Sequence, residues 1–383
     1  MQLKHIGFTA LVTLLAGVST PVLAVTGRGY TPQAQPPKLL AVSGIELTQT
    51  QTGEFEQWFN QGNALLNKQK YTEALKAFEQ ALRLNPNQSE AWFGRGEALY
   101  ALQRYEDAIA AYRQALKLNP QSIAAWGELG NALDDGGQPE EALKAYDQAL
   151  QLDAKNANIW YNRGVTLGRL QRYQEAVAAY DKTLSINPNY ESAWYNRGNN
   201  LSDLERYEEA VASYERAINI NPKSEKAWFN KGLALGMLKR HEEALAVFDQ
   251  VVLLNPNKEN AWYNRGIALE NLKRYEEALT SFDQVVKVNP KESDGWFKRG
   301  NTLLRLNRYE EAIASYDRTL ALVPKADAAW FNRGLALASL KRYKEAITSF
   351  DEALRINPKN ADARENRDLL QRQVGQRSKP AVV

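Results

Sequence analysis

Apolar, small and polar positions recur along this chain with a period of 34 residues. The nine tryptophans, Trp58, Trp92, Trp126, Trp160, Trp194, Trp228, Trp262, Trp296 and Trp330, all belong to one series. Four residues after each comes a glycine, from Gly62 to Gly334, and three later a leucine, from Leu65 to Leu337. An alanine holds the equivalent place from Ala74 to Ala346. If each repeat is numbered from 1 at Phe55, tryptophan is at position 4, glycine at 8, leucine at 11, alanine at 20, Tyr or Phe at 24 and proline mostly at 32. At about 100° per residue, positions 4, 7, 11 and 14 share one side of a helix and positions 2, 5, 9, 12 and 13 the other. The pattern predicts a helix A over about positions 2–14 and a helix B over about 17–30. Asn-Pro closes most repeats, as in Asn85-Pro86 and Asn357-Pro358, because proline cannot continue a helix and drives the preceding residue out of helical geometry. A fixed period over 306 residues predicts an all-α solenoid of nine stacked helix pairs. Their bounds are 55–88, 89–122, 123–156, 157–190, 191–224, 225–258, 259–292, 293–326 and 327–360.

The stripe bearing tryptophan and leucine is expected to be core, with a central Trp-to-Ala change costing about 3–5 kcal/mol. Positions 8 and 20 are small, which predicts a close crossing of the two helices there; the aromatic at 24 is expected to fill the joint to the next repeat. Position 7 lies on the packed stripe yet is Arg or Lys in seven repeats, and position 25 is Asp or Glu in eight. A cation on a packed stripe needs a partner. The exceptions identify it: repeat 2 has Arg113 at position 25, and repeat 3 has Leu129 at position 7. The acid is lost where the following repeat loses its cation. The predicted pairs are Glu79–Arg95, Asp147–Arg163, Asp181–Arg197, Glu215–Lys231, Asp249–Arg265, Asp283–Arg299, Asp317–Arg333 and Asp351–Arg367. The competing reading is a cationic row open to an anionic ligand.

These positions resemble the tetratricopeptide repeat, a 34-residue helix–turn–helix unit, over residues 55–360. The resemblance implies antiparallel helix pairs in a right-handed superhelix with a concave groove. It also implies that the groove holds another protein, as in bacterial-type exported members of the family.

Position 5, on the groove side, is aromatic in eight repeats, including Tyr161, Tyr195, Phe229 and Tyr263. Position 6 is asparagine in six: Asn60, Asn162, Asn196, Asn230, Asn264 and Asn332. Position 9 adds Asn63, Asn131, Asn199 and Asn301. An amide both donates and accepts, so such a row suits a peptide backbone. It is similar to the asparagine ladder of O-GlcNAc transferases, although Gly94, Glu128 and Lys298 interrupt it; the alternative is that asparagine is simply common at these positions. With Leu233, these residues form the expected peptide-binding groove: Tyr161, Asn162, Tyr195, Asn196, Asn199, Phe229, Asn230, Leu233, Tyr263, Asn264 and Asn332. Repeats 1–3 place Glu56, Glu90, Glu97, Glu128, Asp134 and Asp135 on the same side with no cation among them. This predicts an acidic mouth that selects a basic partner segment.

Residues 1–24 have the pattern of a signal peptide: Lys4, an apolar run from Ile6 to Val18, and small residues near Ala24. Export to a periplasm or lumenal compartment is the expectation, and a membrane is contacted only if this segment stays uncleaved. Residues 25–54 read as a flexible Pro/Gln/Thr-rich linker, 361–375 as a capping helix and 376–383 as a disordered tail. Repeat 3 departs most from the pattern, with Asp134-Asp135-Gly136-Gly137 ending helix A and Gly136 in place of the leucine at position 14; it is expected to be the weak joint. There is no cysteine, and of two histidines His241 stands where seven repeats have tyrosine. Thiol, Ser-His-Asp and zinc chemistry are therefore excluded, and neither enzyme activity nor a metal or cofactor is expected. A net charge of +3 gives no argument for nucleic acid. The function expected is a non-enzymatic adaptor binding a peptide or helix. The alternative is a structural scaffold that assembles through its convex surface or its ends.

Overall fold

The computed structural model describes residues 49–377. These fold as nineteen α-helices in sequence, with no strand among the described residues. Nine helix pairs and a final helix stack as an all-α superhelical solenoid. From repeat 2 onward helix A occupies positions 1–13 and helix B positions 17–30, as in Ser89–Ala101 and Tyr105–Leu118. Each A packs on its own B and on the B of the preceding repeat, and A helices of successive repeats also touch, as Ser89–Ala101 does Ile123–Asp135. The A helices therefore form the inner layer.

The turn between A and B bends through position 15, which adopts a left-handed backbone in every repeat. Eight of these residues are not glycine: Gln69, Gln103, Gln171, Glu205, Lys239, Lys273, Asn307 and Lys341, with φ between 58° and 62°. Only Gly137 carries the residue type that adopts this conformation without steric cost, at φ +80°. Glycine here suits the turn, and helix A of repeat 3 keeps the same length as its neighbours, Ile123–Asp135. At the other end of most repeats, the side chain of position 31 accepts from the backbone N–H of position 33, as Asn85 does from Asn87 at 3.1 Å and Asn221 from Lys223 at 3.2 Å. That Asx turn bridges the proline and aims the chain into the next helix A.

The centre of each repeat is the ring at position 24. Phe78, Tyr112, Tyr146, Tyr180, Tyr214, Phe248, Phe282, Tyr316 and Phe350 are all at most 3% exposed. The small residue at position 8 lets this ring, from helix B of the same repeat, lie directly on helix A: a Cβ on Gly198 would stand 2.6 Å from Tyr214, and one on Gly334 2.6 Å from Phe350. The tryptophans are not core. Trp58 is 37% exposed and the other eight are half-buried. Each of those eight donates its indole N–H back to the carbonyl six residues earlier, for example Trp194 to Pro188 at 2.8 Å. Tryptophan thus latches helix A to the preceding turn while its ring lies at the edge of the joint.

The ends differ from expectation at two points. Residues 49–54 are helical, continuing the first helix (Gln49–Asn67) instead of belonging to a linker, and the capping helix runs Ala361–Arg377. The signal-peptide segment, the rest of the linker and residues 378–383 lie outside the described residues.

Candidate functional site

The joints between repeats decide which polar side chains remain available to a partner. All eight predicted ion pairs form, at 2.6–3.6 Å. In seven of them the cation also lies over the tryptophan ring of its own helix A, 5.7–6.0 Å from its centre. In four repeats the arginine donates as well to a buried serine at position 23, as Arg197 to Ser213 at 2.6 Å and Arg333 to Ser349 at 2.8 Å. Charge, ring and hydroxyl together satisfy the guanidinium. The position-7 cations are structural and do not form a row open to an anionic ligand.

The asparagines are largely committed in the same way. Asn131 Oδ1 accepts from the Tyr146 hydroxyl at 2.9 Å and from Asn162 of the next repeat at 2.9 Å. Asn199 accepts from Tyr214 at 2.9 Å and Asn230 at 2.9 Å; Asn301 accepts from Tyr316 at 2.9 Å and Asn332 at 2.8 Å. Position 9 thus ties a buried tyrosine of its own repeat to position 6 of the next. Asn196 donates to the Tyr161 hydroxyl at 3.1 Å, and Asn264 to a carbonyl of its own helix. Asn332 is buried and lies beneath the surface of the groove. The sequence signal for this network was available: asparagine at 9 with tyrosine at 24 in repeats 3, 5 and 8.

The position-5 aromatics each meet the position-24 ring of their own repeat, with centroids 5.7–6.1 Å apart. They are half-buried and show one edge to the inner face. Some edges are covered further. Tyr190 stacks on Tyr161 at 4.8 Å, Lys226 stands over Tyr195 at 4.4 Å and Lys258 over Phe229 at 4.8 Å. Between them Leu233 and Met237 are 40% and 38% exposed, one turn apart on helix A of repeat 6 (Glu225–Met237). They are the large apolar side chains that this part of the inner face offers to a partner.

Repeats 1–3 contribute no cation to the acidic mouth, but the next repeat does. Arg169, from repeat 4, bonds both Asp134 at 2.8 Å and Asp135 at 3.3 Å. Asp134 is nearly enclosed; burial raises its pKa and Arg169 opposes that. Sequence alone did not bring Arg169 to these carboxylates, because the pairing crosses from position 13 of one repeat to positions 12 and 13 of another. Glu97 and Glu128 occupy positions 9 and 6 across the joint of repeats 2 and 3, where three other joints hold a bonded pair of asparagines. Burial, then the charge of Glu128, pushes the Glu97 carboxyl up to about 7. Glu128 accepts from Asn131 at 3.0 Å. Glu56 and Glu90 are exposed.

No cluster of His, Cys, Asp and Glu suited to a metal occurs among the described residues, and no described helix is long and apolar enough to cross a membrane. No protein of curated function matches the chain. Among solved structures it is similar to YrrB, described as a TPR protein with an unusual peptide-binding site, at 22% identity over 50% of this chain and 98% of that one, TM-score 0.46. It is similar to MamA from Desulfovibrio magneticus RS-1 at 23% identity over 44% of this chain and 96% of that one, TM-score 0.42. It is similar to the APC/C hetero-tetramer Cut9–Hcn1 at 14% identity over 82% of this chain and 76% of that one, TM-score 0.41. The tetratricopeptide repeat family profile matches residues 59–123, 128–191 and 297–361, and related profiles of the same repeat match 111–144, 198–239, 225–258 and 259–292. With matched segments covering nearly all of the periodic region, and the helix pairs and joints described above, the chain belongs to the tetratricopeptide repeat family.

Proposed function

We propose that the chain is a non-enzymatic adaptor that holds a segment of a partner protein on the inner face of repeats 4–7. The observation that carries this reading is the exposed pair Leu233 and Met237, set between half-buried rings on a rigid layer of A helices. Apolar side chains on a preformed concave wall provide holding energy without an ordering cost. The committed asparagines leave a smaller role for backbone recognition than an open amide row would. Glu56 and Glu90 favour a partner segment with basic residues at the N-terminal end of the groove. Export is part of the same reading: its support is the leader pattern of residues 1–24, and N-terminal sequencing of the protein from its native cell tests it.

A second reading has its own observation. Leu118, Ile186, Ile220, Leu254 and Leu322 recur half-exposed at position 30 of helix B, and Leu253 beside them is 73% exposed. That row favours assembly through the outer layer. A photocrosslinker placed at position 233 or 253 separates the two. An adduct with a different protein at 233, weakened by Phe229→Ala, supports the adaptor. An adduct of two copies formed at 253, with none at 233, replaces it with the scaffold.

A further inference from the structure

The joint between repeats 2 and 3 lacks the ion pair found at every other joint, and a cleft of about 630 Å³ opens in its place. At the regular joint before it, where Arg95 pairs with Glu79 beside Trp92, the corresponding space is about 420 Å³. Two substitutions make the difference. Leu129 stands where the other joints have a cation, and Arg113 where they have an acid. The Trp126 indole keeps its hydrogen bond to Pro120 at 2.9 Å, so the ring is held in its usual place. No cation lies over it among the described residues. Its face, with buried Leu129 and Leu133, makes an apolar floor.

The rim is basic. Arg113, Lys117 and Lys144 border the cleft with Glu141 as the one carboxylate. Arg113 bonds Glu141 at 2.8 Å, but both side chains are more than half exposed, so this pair is weakly held and cheap to exchange. Trp126, Leu129 and Leu133 occupy positions 4, 7 and 11, the side of helix A turned away from the groove residues. The cleft is thus separate from the inner-face site.

We propose that this cleft is a second docking site, for an acidic segment of a partner protein with an aromatic side chain at its centre. The aromatic ring would cover the face of Trp126, above the buried Leu129, taking the place that a guanidinium fills elsewhere. Flanking carboxylates would meet Lys117, Lys144 and Arg113, the last releasing Glu141. Charge complementarity selects this occupant: a basic segment would face three cations. The acidic partner of this site and the basic partner of the groove are different ligands, so one chain can bridge two proteins.

The test uses the full chain and a fluorescein-labelled, end-blocked peptide Asp-Glu-Phe-Glu-Asp in an anisotropy titration. Saturable binding that weakens as salt rises is expected. In the double variant Arg113→Asp, Leu129→Arg, which rebuilds the regular pair over Trp126, affinity should drop at least tenfold while the helical circular dichroism is retained. Lys144→Glu, a surface change independent of the packing, should weaken binding in the same direction. No binding to the wild type overturns the proposal. Equal binding by the double variant overturns it also, since the peptide has then found the groove or another face. Equally tight binding of a peptide with serine in place of phenylalanine reduces the site to an unspecific basic patch and overturns it as well.

Discussion

The most informative single change is Glu97→Gln. At three joints an asparagine at position 9 meets an asparagine at position 6 of the next repeat. At the joint of repeats 2 and 3 those places hold Glu97 and Glu128, and the Glu97 pKa is raised from 4.5 to about 7, by burial first and by Glu128 second. Because the folded pKa lies above the unfolded one, the folded state binds the extra proton between these values. Its stabilising contribution is complete below about 4.5 and is lost as pH rises through about 7. A shift of this size corresponds to about 3 kcal/mol at about 1.4 kcal/mol per unit. Glutamine keeps the shape and removes the charge. The variant should therefore gain about 2–3 kcal/mol on the wild type between pH 5 and pH 8, with the gain confined to repeats 2 and 3. Solenoid stability is a sum of local terms, so the readout is native-state amide exchange of the helices Ser89–Ala101 and Ile123–Asp135, variant against wild type at each pH. A variant-minus-wild-type difference that stays flat between pH 5 and pH 8 would refute the reasoning. So would a carboxyl titration of Glu97 near 4.5 in a carbon-13 NMR experiment.

Three further outcomes are expected. Lys239→Gly and Lys341→Gly should each stabilise by about 1 kcal/mol by relieving a left-handed backbone, and Gly137→Gln should destabilise by a similar amount, all read by thermal unfolding. Asn301→Ala should cost about 2–3 kcal/mol because it orphans the Tyr316 hydroxyl and the Asn332 amide, and adding Tyr316→Phe should recover part of the loss in a double-mutant cycle. Tyr214→Ala should cost about 4 kcal/mol and Trp194→Ala about 2 kcal/mol, the reverse order excluding the ring at position 24 as the centre of the repeat.

The sequence by itself determined the fold, the helix boundaries of repeats 2–9 to within one or two residues and all eight ion pairs, while the first helix begins six residues inside the expected linker. Periodicity at 34 residues repeats every local choice nine times, so capping, turn and stripe signals reinforce one another. The pairing of position 25 with position 7 was legible because Arg113 and Leu129 break both halves of the pattern at the same joint. What only the tertiary structure decided depends on how far one repeat is rotated on the next. Helical phase says which side of a helix a residue occupies, but not whether a neighbour covers it. Phase alone therefore places tryptophan in the core, although its ring lies at the edge of the joint, in seven repeats under a cation, and the position-24 ring fills the space over the glycine. The same rotation brings Arg169 onto Asp134 and Asp135, and ties Asn162, Asn230 and Asn332 to the repeats before them. It also opens the cleft over Trp126, because Leu129 is too short to reach the space that an arginine occupies at the other joints.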